Sequence, residues 1–263
     1  MVKRIVTAVI AASLFLPFVI FGNIPFTVFI YLLSSIALYE LFIMRKIHIT
    51  SFPGVVGLFL MWVLLIPSSH IMVLNNLTVT KIEFSLFAVL LLLSYTVVTK
   101  NRFSFDDAGF AMLAIFYIGI GFYYFIETRK LGLEYLIYGL IVVWTTDSGA
   151  YFIGKALGRR KLWPEISPNK TVEGFFGGIA AAIAAAVIFQ AVTGIADSYI
   201  KIGLFTIVLS VCGQLGDLVE SALKRQYNVK DSGSILPGHG GILDRFDSLL
   251  FVLPFLHFLF MIQ

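Results

Sequence analysis

Residues 201–219 read KIGLFTIVLSVCGQLGDLV, and residues 221–247 follow as SALKRQYNVKDSGSILPGHGGILDRFD. The first stretch is apolar enough and long enough to cross the roughly 30 Å hydrocarbon core of a bilayer as a helix. The second packs Lys224, Arg225, Lys230 and Arg245 together with Asp231, Asp244 and Asp247, and sets His239 between Gly238 and the pair Gly240-Gly241. An apolar run over about 244–262 then resumes at once. Charge this dense beside hydrocarbon is costly and marks a functional site by default. The pair of stretches therefore predicts a helical membrane protein with a polar site at one membrane face.

Working outward, the same apolar pattern recurs along the whole chain of 263 residues. Charged residues make up 13% and hydrophobic residues 59%, with 26 Phe, and the mean hydropathy is +0.95. A soluble domain carries about 25% charged residues. Nine runs are expected to span, at about 5–22, 24–43, 54–74, 82–99, 107–126, 131–149, 174–194, 201–219 and 244–262. The fold class is all-α, a polytopic integral membrane bundle of about nine transmembrane helices. The Lys3-Arg4 start resembles a signal peptide, but its apolar run is long. No A-x-A-like site follows before the second run, so the segment is expected to be retained.

Lys and Arg accumulate in cytoplasmic loops. With a cytoplasmic N-terminus, fifteen of the 19 basic residues fall inside, leaving Lys81, Arg129, Lys130 and Lys201 outside. The net charge of +4 expresses that bias and contains no basic run of the kind that binds nucleic acid. Cys212 is the only cysteine, so neither an intrachain disulfide nor a cysteine metal cluster is possible. It reads as a small core residue.

Residues 1–126 form a transmembrane scaffold of five helices, with an interface or a lipid-entry wall as its further use. Pro17 and Pro67 lie in or at the ends of spans, where kinks are tolerated. Glu40, a turn before Arg45 and Lys46, is expected to snorkel or to pair with them. His48 and His70 read as ordinary polar residues, and Asp106 and Asp107 suit a helix N-terminus.

Residues 127–263 carry the site chemistry on four helices. Trp144-Thr-Thr-Asp147-Ser148-Gly-Ala-Tyr151 places a carboxylate and a hydroxyl near the end of the sixth span. Gly154-Lys-Ala-Leu-Gly158-Arg-Arg-Lys161 reads equally as a phosphate cradle or as an ordinary positive-inside loop. Ser167-Pro-Asn-Lys170-Thr-Val-Glu-Gly174 lacks the preceding G-x-x-x-x-G of a Walker A element. It does offer hydroxyls and a lysine at a helix N-terminus, where free N–H groups can take an anion. Gly174, Gly177 and Gly178 suit close helix packing. If the eighth helix continues past its apolar run, Asp217, Glu220, Ser221 and Lys224 share one face at i, i+3, i+4 and i+7. Asp244 and Asp247 share a face of the next helix's first turn. Carboxylates converging from several spans suit a divalent cation, and Mg²⁺ takes one or two of them plus water and phosphate oxygens.

The series Ser221-x-Leu-Lys224-Arg225, Lys230-Asp231, Pro237-x-His239-Gly240-Gly241-x-x-Asp244-Arg245-x-Asp247 resembles the signature of the phosphatidate cytidylyltransferases, the CDP-diacylglycerol synthases. Asp147–Tyr151 and Ser167–Gly174 are similar to further blocks of that family; Asn169 departs, standing where a second basic residue is expected. The resemblance covers roughly 140–250. It implies condensation of phosphatidate with CTP to give CDP-diacylglycerol and pyrophosphate, in the bilayer of the cytoplasmic (inner) membrane with the site facing the cytoplasm. It also implies Mg²⁺, a homodimer and, as a lesser implication, a second, monovalent cation. On that reading Lys224, Arg225, Lys230, Asp244, Arg245 and Asp247 are catalytic. Asp147, Ser148, Lys170, Ser221, His239, Gly240 and Gly241 contact substrate, with a structural turn role equally open for His239. Asp217, Asp244 and Asp247 are the metal ligands. Two other readings stay open. A cation transporter or channel would use similar carboxylates, although the charges cluster at one face and no inverted repeat is visible. A CDP-alcohol phosphatidyltransferase would use clustered aspartates, but its D-G-x-x-A-R spacing is missing.

Overall fold

In hydrocarbon, a single apolar run can satisfy its own backbone polar groups only by coiling into a helix, and the chain does so repeatedly. The computed structural model describes residues 2–67, 80–236, 238 and 240–261, with the backbone alone for 2–6, 8–10 and 12. Among these residues run nine helices: α1 (Val2–Phe21), α2 (Asn23–Met44), α3 (Phe52–Leu64), α4 (Lys81–Val98), α5 (Phe105–Leu131), α6 (Leu133–Leu157), α7 (Val172–Thr193), α8 (Tyr199–Gln226) and α9 (Leu243–Met261). Six of them (α2, α4, α5, α6, α7 and α8) are long and apolar enough to cross a membrane. Ile82, Val192 and Ile200 are each more than three-quarters exposed, an outward apolar surface that suits lipid rather than water. The chain is a polytopic helical membrane protein.

The structure qualifies three expectations. Among the described residues of the run expected at 54–74, the helix covers the 13 residues Phe52–Leu64. Pro67 cannot donate to a helix and disfavours helical geometry in the residue before it. Residues 68–74, and with them His70, lie outside the described residues. The chain is also not purely α. Strands β1 (Lys161–Trp163) and β2 (Ser167–Thr171) pair antiparallel, Lys161 opposite Thr171 and Trp163 opposite Ser167, with an irregularity between. Pro164 and Pro168 keep this segment out of a helix, and the Thr171 hydroxyl then starts α7 by accepting from the Gly174 N–H at 3.1 Å. Finally, Glu40, expected to snorkel or to pair with Arg45 and Lys46, is buried, and Arg45 pairs with Asp107 at 2.7 Å.

The chain folds as two compact units, residues 1–127 with 231–243, and residues 128–230 with 244–263. In the first, Phe26, Phe42, Phe122 and Phe125 are fully buried, and Phe18 stacks on Phe29 with centroids 4.3 Å apart. The last carbonyls of a helix have no partner within it. At the end of α3, Lys81 answers this need, donating to the Leu64 and Ile66 carbonyls at 2.7 Å each. The same ammonium lies 4.0 Å from the centre of the Tyr123 ring. At the start of α5, Asp107 accepts from the N–H and hydroxyl of Ser104, so a carboxylate does stand at that helix terminus.

In the second unit α6 and α7 pack backbone to backbone. A Cβ added at Gly178 would stand 2.7 Å from the Thr146 carbonyl oxygen, and one at Gly177 would run into Ile153. Polar pairs join α6 to α8: Tyr138 with Thr206 at 2.8 Å and Thr146 with Ser210 at 2.9 Å. Both are buried, so each group finds the partner that burial demands.

Candidate active site

Helix α8 continues to Gln226, so the stripe of Asp217, Glu220, Ser221 and Lys224 lies on one helix face. Gly216 lets α9 come close beside it: a Cβ there would stand 2.6 Å from the Asp247 carbonyl oxygen. The outcome is a carboxylate–lysine cluster within the second unit. The Lys224 ammonium donates to Glu220 at 2.6 Å and to Asp244 at 2.7 Å. The Glu220 side chain is 1% exposed and that of Asp244 6%. Asp217 pairs with Lys170 at 2.7 Å and accepts from the Ser221 hydroxyl at 3.3 Å. Asp247 accepts from the N–H of Ser248 at 2.7 Å, and the charge of Asp217 bears on both Asp247 and Asp147.

A cavity of about 590 Å³ opens beside this cluster. Asp147 and Asp217 lie on its wall, together with Lys155, Arg159, Lys161 and Lys170. Two features build that basic wall. Helix α6 runs on to Leu157 and ends on Gly158, so Gly154 and Lys155 are helical, and not loop as their glycine spacing suggested. The Glu173 carboxylate then accepts from the N–H groups of Arg159 and Arg160 at 3.0–3.3 Å, tying the end of α6 to the start of α7. Asn169 also lines the cavity. The expected second basic residue at its position is thus matched, on the same wall, by cations from α6 and β1.

The expected site residues divide as follows. Asp147, Lys170 and Asp217 line the cavity, and Ser221, Lys224, Asp244 and Asp247 belong to the adjoining cluster or its helix face. Ser148 is exposed on α6, and Arg225 is exposed with its side chain donating to the Ile166 carbonyl at 3.3 Å. Lys230 and Arg245 are exposed. Gly240 belongs to the first unit, where Gly238 and Gly240 take positive φ of 78° and 82°. The Leu236 N–H donates to the Gly240 carbonyl at 3.0 Å, closing the tight turn that the glycines predicted. Gly241 is buried in the same loop. Pro237 and His239 lie outside the described residues. Sequence reasoning named no site role for two groups, Glu220 and the cations Lys155, Arg159 and Lys161. For Glu220 the signal was its place in the polar stripe; for the cations it was glycine punctuation, which allowed a loop equally well.

Residues 2–263 match the model of the cytidylyltransferase family. The chain belongs to that family. It is 60% identical over 262 residues to the phosphatidate cytidylyltransferase of Bacillus subtilis, covering 98% of this chain and 97% of that one. The phosphatidate cytidylyltransferases of Staphylococcus epidermidis and Staphylococcus aureus are 47% and 46% identical, each over 97% of both chains. The family's residues in this chain are therefore those of an enzyme, a nucleotidyltransferase.

Among the described residues no three His, Cys, Asp or Glu side chains form a ready-made metal cage. Mg²⁺ does not require one, because it keeps waters and uses substrate phosphates for much of its shell. The cluster does fit such an ion on other grounds. Glu220 and Asp244 share the Lys224 ammonium, the charge of Lys224 bears on Asp247, and among the described residues the second oxygen of Glu220 is buried with no hydrogen-bond partner. A buried carboxylate oxygen in that condition costs free energy until a cation or donor reaches it.

Proposed function

We propose that this protein transfers cytidylate from CTP to phosphatidate, giving CDP-diacylglycerol and pyrophosphate. The observation that carries the reading is the cavity lined by Lys155, Arg159, Lys161 and Lys170 together with the carboxylates Asp147 and Asp217. A polyphosphate needs several cations around it, and a phosphoryl-transfer centre needs carboxylates for a metal at one end. Near-complete relatives that carry the phosphatidate cytidylyltransferase name support the same substrates. Neither a transporter nor a CDP-alcohol phosphatidyltransferase is favoured by them.

The nucleophile is the phosphate monoester of phosphatidate, whose second pKa is about 6 by analogy with phosphoserine, so no strong general base is needed. An oxygen of that monoester forms a bond to the α-phosphorus of CTP. The bond from the α-phosphorus to the bridging oxygen breaks, and its electron pair leaves with pyrophosphate. The barrier is repulsion between anions and charge gathering on the leaving group, so catalysis is positioning and electrostatic stabilisation. Lys155, Arg159, Lys161 and Lys170 hold and neutralise the triphosphate, and Arg225, Lys230 and Arg245 serve the lipid phosphate. Lys224, whose ammonium donates to Glu220 and Asp244, organises the carboxylates. Asp217, Asp244 and Asp247, with Glu220 added, would hold Mg²⁺; a second, monovalent cation would share these carboxylates. Bound Mg²⁺ supplies Lewis-acid stabilisation of phosphoryl oxygens.

The reading places nine spans in the cytoplasmic membrane, the N-terminus and the site on the cytoplasmic side, and a homodimer as the assembled form. Residues 1–126 act as scaffold and 127–263 as the catalytic region. Acyl tails remain in lipid while CTP arrives from water. The test is acceptor specificity in detergent with CTP and Mg²⁺. Phosphatidate should yield a cytidylate-bearing lipid and diacylglycerol, which has no phosphate, should yield none. Equal labelling of both, or release of CMP from CDP-diacylglycerol on adding an alcohol, would overturn the assignment.

A further inference from the structure

The loop from Asp231 to Leu243 joins Lys230 to Asp244, two residues that the proposed function places in the site. It is glycine-rich, with four glycines at 233, 238, 240 and 241. Such a segment has much conformational entropy to lose on ordering. Something must hold it.

The first unit supplies the holder. Glu40, near the end of α2, is 2% exposed. Its carboxylate accepts from the Ser232 hydroxyl at 3.0 Å, from the Ile242 N–H at 2.8 Å and from the Leu243 N–H at 2.9 Å. Ser232 lies two residues after Lys230, and Leu243 immediately precedes Asp244 and is the first residue of α9. One carboxylate, 202 residues away in sequence from Ile242, thus pins both ends of the loop. It also does for α9 what an N-cap side chain does, accepting orphan N–H groups at the positive end of the helix. The loop is shaped to admit it. A Cβ at Gly233 would meet the Glu40 carboxylate, and one at Gly241 would run into both that carboxylate and the Ser232 hydroxyl.

A buried carboxylate on a membrane helix is expensive and carries a functional expectation. Charge-assisted hydrogen bonds of this kind are roughly twice as strong as neutral ones. We propose that Glu40 is a positioning residue for the transfer reaction, holding the 231–243 loop so that Lys230 at one end and Asp244–Asp247 at the other keep their catalytic placement. It touches no substrate itself. This inference rests on the cytidylyl-transfer reading for its kinetic part alone.

The experiment uses the full chain in detergent with phosphatidate, CTP and Mg²⁺, and compares wild type with Glu40→Gln and Ser232→Ala. Glutamine keeps the size but loses the charge and turns an amide N–H₂ towards donors. The expected result for Glu40→Gln is a fall in kcat of about 30-fold with KM for CTP within about 3-fold, since the basic wall belongs to the other unit. Hydrogen exchange in peptides spanning 231–243 should quicken at least 10-fold, while exchange in α7 and the melting temperature hold. Ser232→Ala, which removes one of these donors, should show the same pattern at about a third to a tenth of the size. Native kcat and native loop exchange in Glu40→Gln would overturn the proposal. So would uniform quickening across the protein, a structural role only. If Glu40→Gln does not fold, Ser232→Ala decides, and native behaviour there overturns the proposal. Should wild type transfer no cytidylate, the reaction reading fails on its own, and exchange in the loop still judges the tether.

Discussion

Replacing Lys224 by methionine removes a cation that touches two buried acids. Its ammonium is 2.6 Å from Glu220 and 2.7 Å from Asp244, whose side chains are 1% and 6% exposed. Removing one partner of a buried ion pair costs about 3–5 kcal/mol, because the other charge is left uncompensated. Lys224 itself is 16% exposed, so water screens part of the interaction and about 3 kcal/mol is the working figure. A chain of this size shifts its melting temperature by about 2–4 °C per kcal/mol. Lys224→Met should therefore melt roughly 6–12 °C below wild type in a thermal scan in detergent. Adding Glu220→Gln removes one of the stranded charges. The double variant should regain about 1.5 kcal/mol of the loss, the coupling typical of residues in one charged network. Mg²⁺ should raise the melting temperature of Lys224→Met more than that of wild type, since the ion answers the charge the lysine left. A Lys224→Met protein melting within 1 °C of wild type, or a double variant no more stable than the single one, would refute the reasoning.

Three other outcomes are expected. Arg159→Ala and Lys161→Ala should each raise KM for CTP about 10-fold, with kcat changed less than about 3-fold, as the loss of one charged contact predicts; an unaltered KM would remove that residue from nucleotide binding. Asp217→Asn should shift the Mg²⁺ titration to higher concentration and lower kcat by about 100-fold, the effect of losing one electrostatic stabiliser; a native Mg²⁺ response would take Asp217 out of the metal site. Gly178→Val should destabilise by about 1–3 kcal/mol through overpacking, because its side chain would meet the backbone of Thr146. An unchanged melting temperature would contradict the close α6–α7 contact.

The helices were legible because a membrane run reports on itself: twenty apolar residues announce a span whatever their neighbours do. The same logic located the stripe from Asp217 to Lys224, since position along one helix decides which side chains share a face. What stayed hidden was whatever depends on a partner distant in the chain. Position in sequence has Glu40 snorkel or pair with Arg45 and Lys46, and gives no sign that Arg45 meets Asp107 or that the Glu40 carboxylate accepts from N–H groups 202 and 203 residues away. The Lys224–Glu220 pair lies within that stripe at i, i+4, whereas its second partner, Asp244, comes from another helix and could not be read from spacing. The extension of α6 through Gly154 to Leu157 was masked by its glycines, which weaken a helix in isolation but here admit α7. The short hairpin was missed for a related reason: strands of three and five residues carry too little periodicity to register.

The most direct test of the central claim is the fate of the phosphorus atoms of CTP. The purified protein is given phosphatidate and Mg²⁺ with CTP labelled at either the α- or the γ-phosphate, and the lipid and aqueous phases are counted separately. The account predicts that α-label enters the lipid phase, that γ-label leaves as pyrophosphate in equal amount, and that EDTA abolishes both. γ-Label in the lipid, or hydrolysis of CTP without any label reaching lipid, would contradict it.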